Sequence, residues 1–379
     1  MQKPFILLTG GTGFLGTFLA KDFLEKGKHI FFLVRPKEGR DPLSFIQMRL
    51  ASIGLAPHFF SQIHIVYGDT TKPLCGIVSQ WLEKNKDNIE AIWHIAGLVK
   101  FNDRKMLLPV NAESTRHISE LAQKFQAHIF YIGTAYVVGA SRKSELLEDE
   151  LESPKTFRNI YEESKYQGEK FLVSQMHAGK ISATIFRPSI LVGDFQTGQT
   201  FSYTGYYVPL FFFALLRKRH PLLTNFPVVI PYVQGATLNL MPVDHAVRII
   251  SALADHPESK DKTFHIVNPH PPSIRSTFQE SLNQLGYPRV FLVPVPLSGL
   301  TLVGFFIKTF SYLFGKSGKR VRAQLLDYLT YLSDTRTFST KNVWQLLGVV
   351  ADVPLLGRDF FERSITYALE HNFGRTKVL

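Results

Sequence analysis

Short apolar runs of strand length recur along the first half of the chain, at Phe5–Thr9, Ile30–Val34, Ile63–Tyr67, Ala91–His94, Ile129–Ile132 and Thr184–Arg187. Between them lie segments whose apolar positions fall three or four residues apart, clearest at Gly16–Lys26, Ala112–Phe125 and Ile160–Met176. That spacing puts the apolar side chains on one buried helix face. Strands and helices alternating in this way require crossover connections, which predicts an α/β chain with a doubly wound parallel sheet covered by helices on both faces. After Gly193 the rhythm gives way to a Gly, Pro and aromatic-rich stretch through about Leu240, longer than an ordinary connection and of the kind that shapes a binding site. A helix beginning near Val243, a strand at Thr263–Val267 and a predominantly helical end from Ser298 follow. The expected organisation is a core domain over 1–193, a substrate-binding insertion over 194–240, a return to the core over 241–296 and a helical C-terminal region over 297–379. The substrate-facing part is therefore the smaller one and mainly helical.

Composition narrows the class. With 379 residues and 45% hydrophobic content the chain can bury a sizeable core, and its single cysteine, Cys75, rules out an intramolecular disulfide and fits a reducing compartment, the cytoplasm by default. The first apolar run is only a strand's length before glycines interrupt it, unlike a signal peptide. Forty-three basic against 31 acidic residues give +12, which suits nucleic acid, anionic lipid, or acidic and phosphorylated partners. No nucleic-acid motif accompanies the charge, so that class is set aside. The 13 histidines are scattered without ligand spacing, so no metal is expected, and His94 and His245 read as packing or polar contacts. Two longer apolar stretches, Tyr206–Leu216 before a basic Arg-Lys-Arg-His and Leu297–Phe314, read as buried or interfacial helices. The second approaches spanning length but carries Lys308 and two glycines, which leaves peripheral membrane contact open.

The chemistry begins at Thr9-Gly10-Gly11-Thr12-Gly13-Phe14-Leu15-Gly16, after one strand and at the head of a helix. Glycines at such a turn let the backbone approach a pyrophosphate, and the helix N-terminus offers free N–H groups, so Gly10, Thr12, Gly13, Phe14, Leu15 and Gly16 are expected to cradle a dinucleotide. The second strand ends at Arg35, where an NAD site usually places an acid; with Lys37 and Arg40 nearby, this favours the 2′-phosphate of NADP(H). Lys37 and Arg40 could equally belong to a solvated basic loop. Asp69, beside Thr70, suits an adenine amino group or, as readily, the capping of its own turn.

Tyr161 and Lys165 stand four apart and share a helix face. An ammonium beside a phenol favours the phenolate, which makes the tyrosine a usable acid and base, although this spacing also arises as an amphipathic Tyr with a surface Lys. What changes the picture is a strand that delivers the hydroxyl of Thr134 ahead of them. In this order the elements resemble the extended short-chain dehydrogenase/reductase superfamily over most of the first 270 residues, including His94-Ile95-Ala96-Gly97, Asn111, Arg187-Pro188-Ser189 and Pro242-Val243-Asp244. The resemblance implies a Rossmann-type fold, Thr134 on the substrate oxygen, Tyr161 as acid/base and Lys165 on the nicotinamide ribose. It further implies cofactor contacts from Ala96, Gly97 and Pro188. Asn111 matches the family's structural asparagine behind a proton-relay water, with a helix-start asparagine as the plain alternative. Gly133 departs from the pattern, since relatives commonly carry serine there.

Within the superfamily, Leu33-Val34-Arg35-Pro36-Lys37 with the later Arg49-Leu50, Gly68-Asp69-Thr70, Thr134-Ala135-Tyr136 and the stretch from Leu325 to Asn342 are similar to fatty acyl-CoA reductases and thioester reductase domains. That implies hydride reduction of an acyl-CoA or acyl-carrier-protein thioester to aldehyde or alcohol. Tyr136, Tyr206 and Phe211 are candidates to line an acyl channel, and Arg217, Lys218 and Arg219 to attract pantetheine phosphates or an acidic carrier protein; aromatic residues at helical spacing serve as core at least as often. The rival readings are a hydroxysteroid-type or ketone/alcohol oxidoreductase on a bulky lipid-like substrate, and a non-catalytic NADP-binding regulator.

Overall fold

Seven apolar segments form one parallel sheet: β1 (Phe5–Thr9), β2 (His29–Val34), β3 (Ile63–Tyr67), β4 (Ile89–His94), β5 (His128–Ile132), β6 (Ala183–Pro188) and β7 (Thr263–Ile266). Their order across the sheet is β7-β6-β5-β4-β1-β2-β3, so the winding reverses between β1 and β4. The computed structural model describes residues 5–36, 39, 41–100, 103–141, 143–151, 154–296 and 330–375. All six residues of β6 are buried, as a strand covered on both faces requires. Across one face Trp93, Phe130, Phe186 and Phe264 form an aromatic row over β4 to β7, with neighbouring centroids 4.3, 6.2 and 6.2 Å apart.

Helices α1 (Phe14–Glu25), α2 (Pro42–Ser52), α3 (Ser114–Phe125), α4 (Ile160–His177), α5 (Tyr207–Arg219), α6 (Val243–Asp255), α7 (Ile274–Gln284) and α8 (Arg358–Glu370) surround the sheet and build the second part. α1 and α6 close one face through Leu19, Phe23, Ile250 and Leu253; α3 and α4 close the other through Ile118, Leu121 and Leu172. The second core joins α5, α7 and α8 through Tyr207, Leu210, Phe278, Leu282, Phe360 and Phe361.

Differences from the pattern-based reading lie mostly in this second part. The stretch after Gly193 contains α5 and a strand, Val228–Tyr232, and three short parallel ribbons qualify its helical character: Ile190–Val192 with Leu240–Pro242, Val228–Tyr232 with Val290–Pro294, and Glu145–Leu146 with Thr337–Phe338. Segments of two to five residues leave too little sequence for a period to show. The apolar run Leu297–Phe314 and Leu325–Tyr328 lie outside the described residues. Among the described residues no helix is long and apolar enough to cross a membrane.

Candidate active site

At the switch between β1 and β4 the two strand ends are fastened by Thr9, whose hydroxyl lies 2.8 Å from His94 Nδ1 and accepts the Ala96 N–H at 3.3 Å. A crevice outside the carboxyl ends of the strands is the usual ligand position in such sheets. His94 is fully interior, pushed down to about 3 by burial and by the Lys165 charge, and its other nitrogen meets Ser114 Oγ at 3.1 Å. It is a packing and polar contact. Among the described residues no group of three His, Cys, Asp or Glu side chains could hold a metal ion.

The glycine loop has the shape of a cradle. Gly10 has φ +72°, and a Cβ there would lie 2.5 Å from the Ala96 nitrogen; a Cβ on Gly16 would strike the Gly10 carbonyl. Only glycine fits either position without moving backbone. Gly13 caps α1 with no side chain over its first turn, and Thr17 Oγ1 turns back to the Gly13 carbonyl at 2.6 Å, so the helix N-terminus is left for a ligand. These residues fit a dinucleotide pyrophosphate.

From this loop a continuous cleft of about 1260 Å³ runs to the second core. Gly10, Thr12, Gly13, Phe14, Leu15, Gly16, Arg35, Asp69, Thr70, Ala96, Gly97 and Pro188 line its first half; Thr134, Tyr161 and Lys165 its middle; and Tyr136, Tyr206, Leu238, Phe278 and Tyr331 its far end. Lys37 and Arg40 lie outside the described residues. Asp69 caps its own turn while lining the cleft: its Oδ1 accepts the N–H and hydroxyl of Thr71 at 3.0 and 2.8 Å. Burial opposes its charge, yet those bonds, with Arg35 and Lys72 nearby, hold it below the usual carboxylate range.

Thr134 follows β5 in extended conformation and starts the turn Ala135–Val138, which fixes its hydroxyl beside the Tyr161 phenol, to which it is hydrogen-bonded. Tyr161 sits in the first turn of α4, started by Asn159, whose side chain accepts the Glu162 N–H at 3.0 Å. Burial pushes the phenol up to about 12, against the pull of the Thr134 bond. Lys165, one turn on, donates to the Ile132 carbonyl at 2.7 Å and is brought down to about 8 by burial, with Glu169 partly opposing. The phenol is thus governed here by burial and the Thr134 bond, while the Lys165 ammonium is engaged by the Ile132 carbonyl of β5. Asn111 is not at a helix start. It lies in a wide π turn, Leu108–Glu113, inside a helix running from Arg104, and donates to the Leu98 carbonyl at 3.1 Å and to Ser164 Oγ at 3.0 Å while accepting the Leu98 N–H at 2.8 Å. It ties α4 to the segment after β4 and does not line the cleft.

Gly133 has a physical reason. A Cβ there would lie 2.7 Å from Glu169 Oε2, and Glu169 is wholly buried in an ion pair with Arg187 at 2.6 Å. The missing side chain makes room for that carboxylate.

Of the predicted channel residues, Tyr136 and Tyr206 line the cleft, the latter with its hydroxyl 2.7 Å from Ser281 Oγ. Phe211 does not. It is buried in the second core against Phe373, under the Arg375 guanidinium, because it falls on the face of α5 that turns inward. Arg217, Lys218 and Arg219 are likewise outside the cleft, exposed at the C-terminal end of α5.

Arg49 and Tyr331 are among the cleft residues that have no role in the sequence reading. Arg49 lines the first half, with its guanidinium 4.1 Å from the Phe201 ring centroid. Tyr331 closes the far end: its ring meets Tyr136 edge-on at 5.2 Å, and its hydroxyl accepts from Asn159 at 3.0 Å and donates to Glu162 at 2.9 Å. Arg158 pairs with Glu162 at 2.9 Å and with Asp334 at 2.8 Å, and Arg336 joins Asp334 at 2.7 Å. Tyr331 is 169 residues from Glu162, too far for any spacing to reveal.

Residues 8–250 match the family described as Male sterility protein. The chain is 27% identical to glycine betaine reductase ATRR of Emericella nidulans over 75% of its own length and 22% of that protein. It is 29% identical to fatty acyl-CoA reductase wat of Drosophila melanogaster, over 50% of the chain and 43% of that protein. The chain thus spans less than half the length of either curated relative. Among solved structures, the terminal R domain from the myxalamid PKS-NRPS biosynthetic pathway superposes with a TM-score of 0.81 at 26% identity, covering 98% of this chain and 92% of that one.

Proposed function

The chain belongs to the Male sterility protein family, in the thioester-reductase branch of the extended short-chain dehydrogenases/reductases, and on that premise we propose that it reduces acyl thioesters with NADPH. The observation that carries this reading is the unbroken cleft that leads from the glycine loop, past Thr134, Tyr161 and Lys165, to an aromatic-walled end. Such a shape suits a dinucleotide in one half and an apolar acyl group in the other.

The preference for the phosphorylated cofactor rests on Arg35 at the end of β2, with Arg49 lining the same half of the cleft and no acid at the position of Arg35. A bound nicotinamide supplies the hydride. As the thioester carbonyl is reduced, its oxygen gains negative charge beside the hydroxyls of Thr134 and Tyr161. Thr134 orients that oxygen by a hydrogen bond, and Tyr161 gives it a proton. Lys165, held between β5 and α4 by its bond to the Ile132 carbonyl, would hold the ribose of a bound nicotinamide cofactor and lend the site its positive charge. Asn111 positions α4 through Ser164. Breaking the C–S bond then releases thiol and aldehyde, and the tyrosine proton is restored from solvent. The thiol belongs to coenzyme A or to a carrier protein, the two thioester sources this branch implies.

Cofactor-oxidation assays over a series of acyl-CoAs and acyl-carrier proteins test the proposal. Turnover of at least one thioester class with NADPH is expected. Clear reduction of ketones with no thioester turnover would move the assignment to a ketone/alcohol oxidoreductase.

A further inference from the structure

Two stretches of the chain hold no acidic residue. Among the described residues, 195–243 and 281–296 carry Arg217, Lys218, Arg219 and Arg289 and no Asp or Glu, in a molecule of net charge +12. The fold brings parts of both together, because Val228–Tyr232 pairs in parallel with Val290–Pro294, placing Val229 opposite Phe291 and Pro231 opposite Val293. Successive residues of a strand face opposite sides. Ile230 and Val290 turn into the second core, while Val229, Phe291 and Val293 are 61%, 55% and 42% exposed. Outward positions of a solvated ribbon ordinarily carry polar side chains. The approach to the ribbon adds Leu222 at 77% exposure and Phe226 at 63%.

Cations adjoin this apolar face. α5 ends in exposed Arg217, Lys218 and Arg219, immediately before the turn Pro221–Asn225 that bears Leu222. Arg289 reaches the same edge, its guanidinium donating to the Asn225 carbonyl at 3.4 Å and its carbonyl accepting the Val228 N–H at 2.8 Å. None of these residues lines the catalytic cleft.

We propose that this face seats on an anionic lipid bilayer, Leu222, Phe226, Val229, Phe291 and Val293 entering the headgroup region and the Arg and Lys side chains meeting lipid phosphates. Protruding apolar side chains beside charge of a single sign are what an interfacial site needs. A protein interface, by contrast, usually sets its apolar centre in a polar rim that exchanges hydrogen bonds. The proposal stands apart from the catalytic reading, and either can fail alone.

The experiment is flotation of the full chain with vesicles of phosphatidylcholine mixed with phosphatidylglycerol, and with phosphatidylcholine alone. Flotation is expected with the mixed vesicles only, weakening as salt is raised. Phe226→Ser with Phe291→Ser should abolish it. Lys218→Glu with Arg219→Glu should weaken it by about tenfold or more, with NADPH binding and melting temperature unchanged in both double variants. Failure of the wild-type chain to float, or flotation that survives both double variants, overturns the proposal. Two further outcomes also overturn it: vesicle binding untouched while turnover of a carrier-protein-bound acyl group collapses, which assigns the face to an acidic protein, and a dimer that the variants dissolve without any flotation.

Discussion

Tyr161 holds its proton more tightly than a free phenol, raised to about 12 by burial while the Thr134 bond pulls the other way. It is thus a proton donor across the ordinary pH range, which suits reduction. Tyr161→Phe should lower kcat by roughly 10²- to 10⁴-fold and leave NADPH affinity, read by fluorescence titration, close to wild type; near-normal turnover would remove the residue from its assigned role. Lys165 is expected to set a pH limb. Burial brings it to about 8, so its ammonium is lost as pH rises through that value, and kcat/KM should fall above it. Glu169 opposes this shift, and Glu169→Gln should move the limb to lower pH. A limb that stays in place would separate Glu169 from the charge of Lys165. Arg35→Asp should cost NADPH more affinity than NADH; unchanged preference would count against the 2′-phosphate contact.

The loop and helix ends act as units because their backbone geometry admits few alternatives. Gly16→Ala would press a methyl into the Gly10 carbonyl, so cofactor affinity should drop by about tenfold or more while the sheet remains folded, as circular dichroism would report. At the start of α4 the decisive contacts come from far along the chain. Asp334 is held down to about 2: burial works against its charge, but Arg336 and Arg158 overcome that. Its folded value lies below the ordinary one, so its contribution to stability is present above pH ~4 and is lost as pH falls through about 2. Asp334→Asn would leave two buried guanidinium groups short of a partner and should destabilise by roughly 3 kcal/mol or more at neutral pH. Thermal unfolding measures this, and a change under about 1 kcal/mol would show that the network is solvated.

At the level of the whole molecule, the proposed catalytic residues come from the Rossmann half and the far wall of the cleft from both halves. Tyr331→Ala should raise KM for the acyl substrate several-fold and leave NADPH affinity unchanged, since its ring stands against Tyr136 and away from the glycine loop. Equal losses for substrate and cofactor would instead indicate a general loosening of α4.

By itself the sequence determined the parallel sheet, the glycine loop at the head of the first helix and the nearness of Thr134, Tyr161 and Lys165. Each is written in local periods or in residues a few positions apart, and the physics behind them, strand alternation, helical spacing and a helix N-terminus, acts over the same short range. Only the tertiary structure decided that Phe211 belongs to the core, that Asp69 caps its own turn, that Gly133 yields space to Glu169, and that Tyr331 and Arg49 enter the cleft. Those outcomes depend on which face of an element meets which neighbour, and packing between distant segments leaves no period in the chain to read.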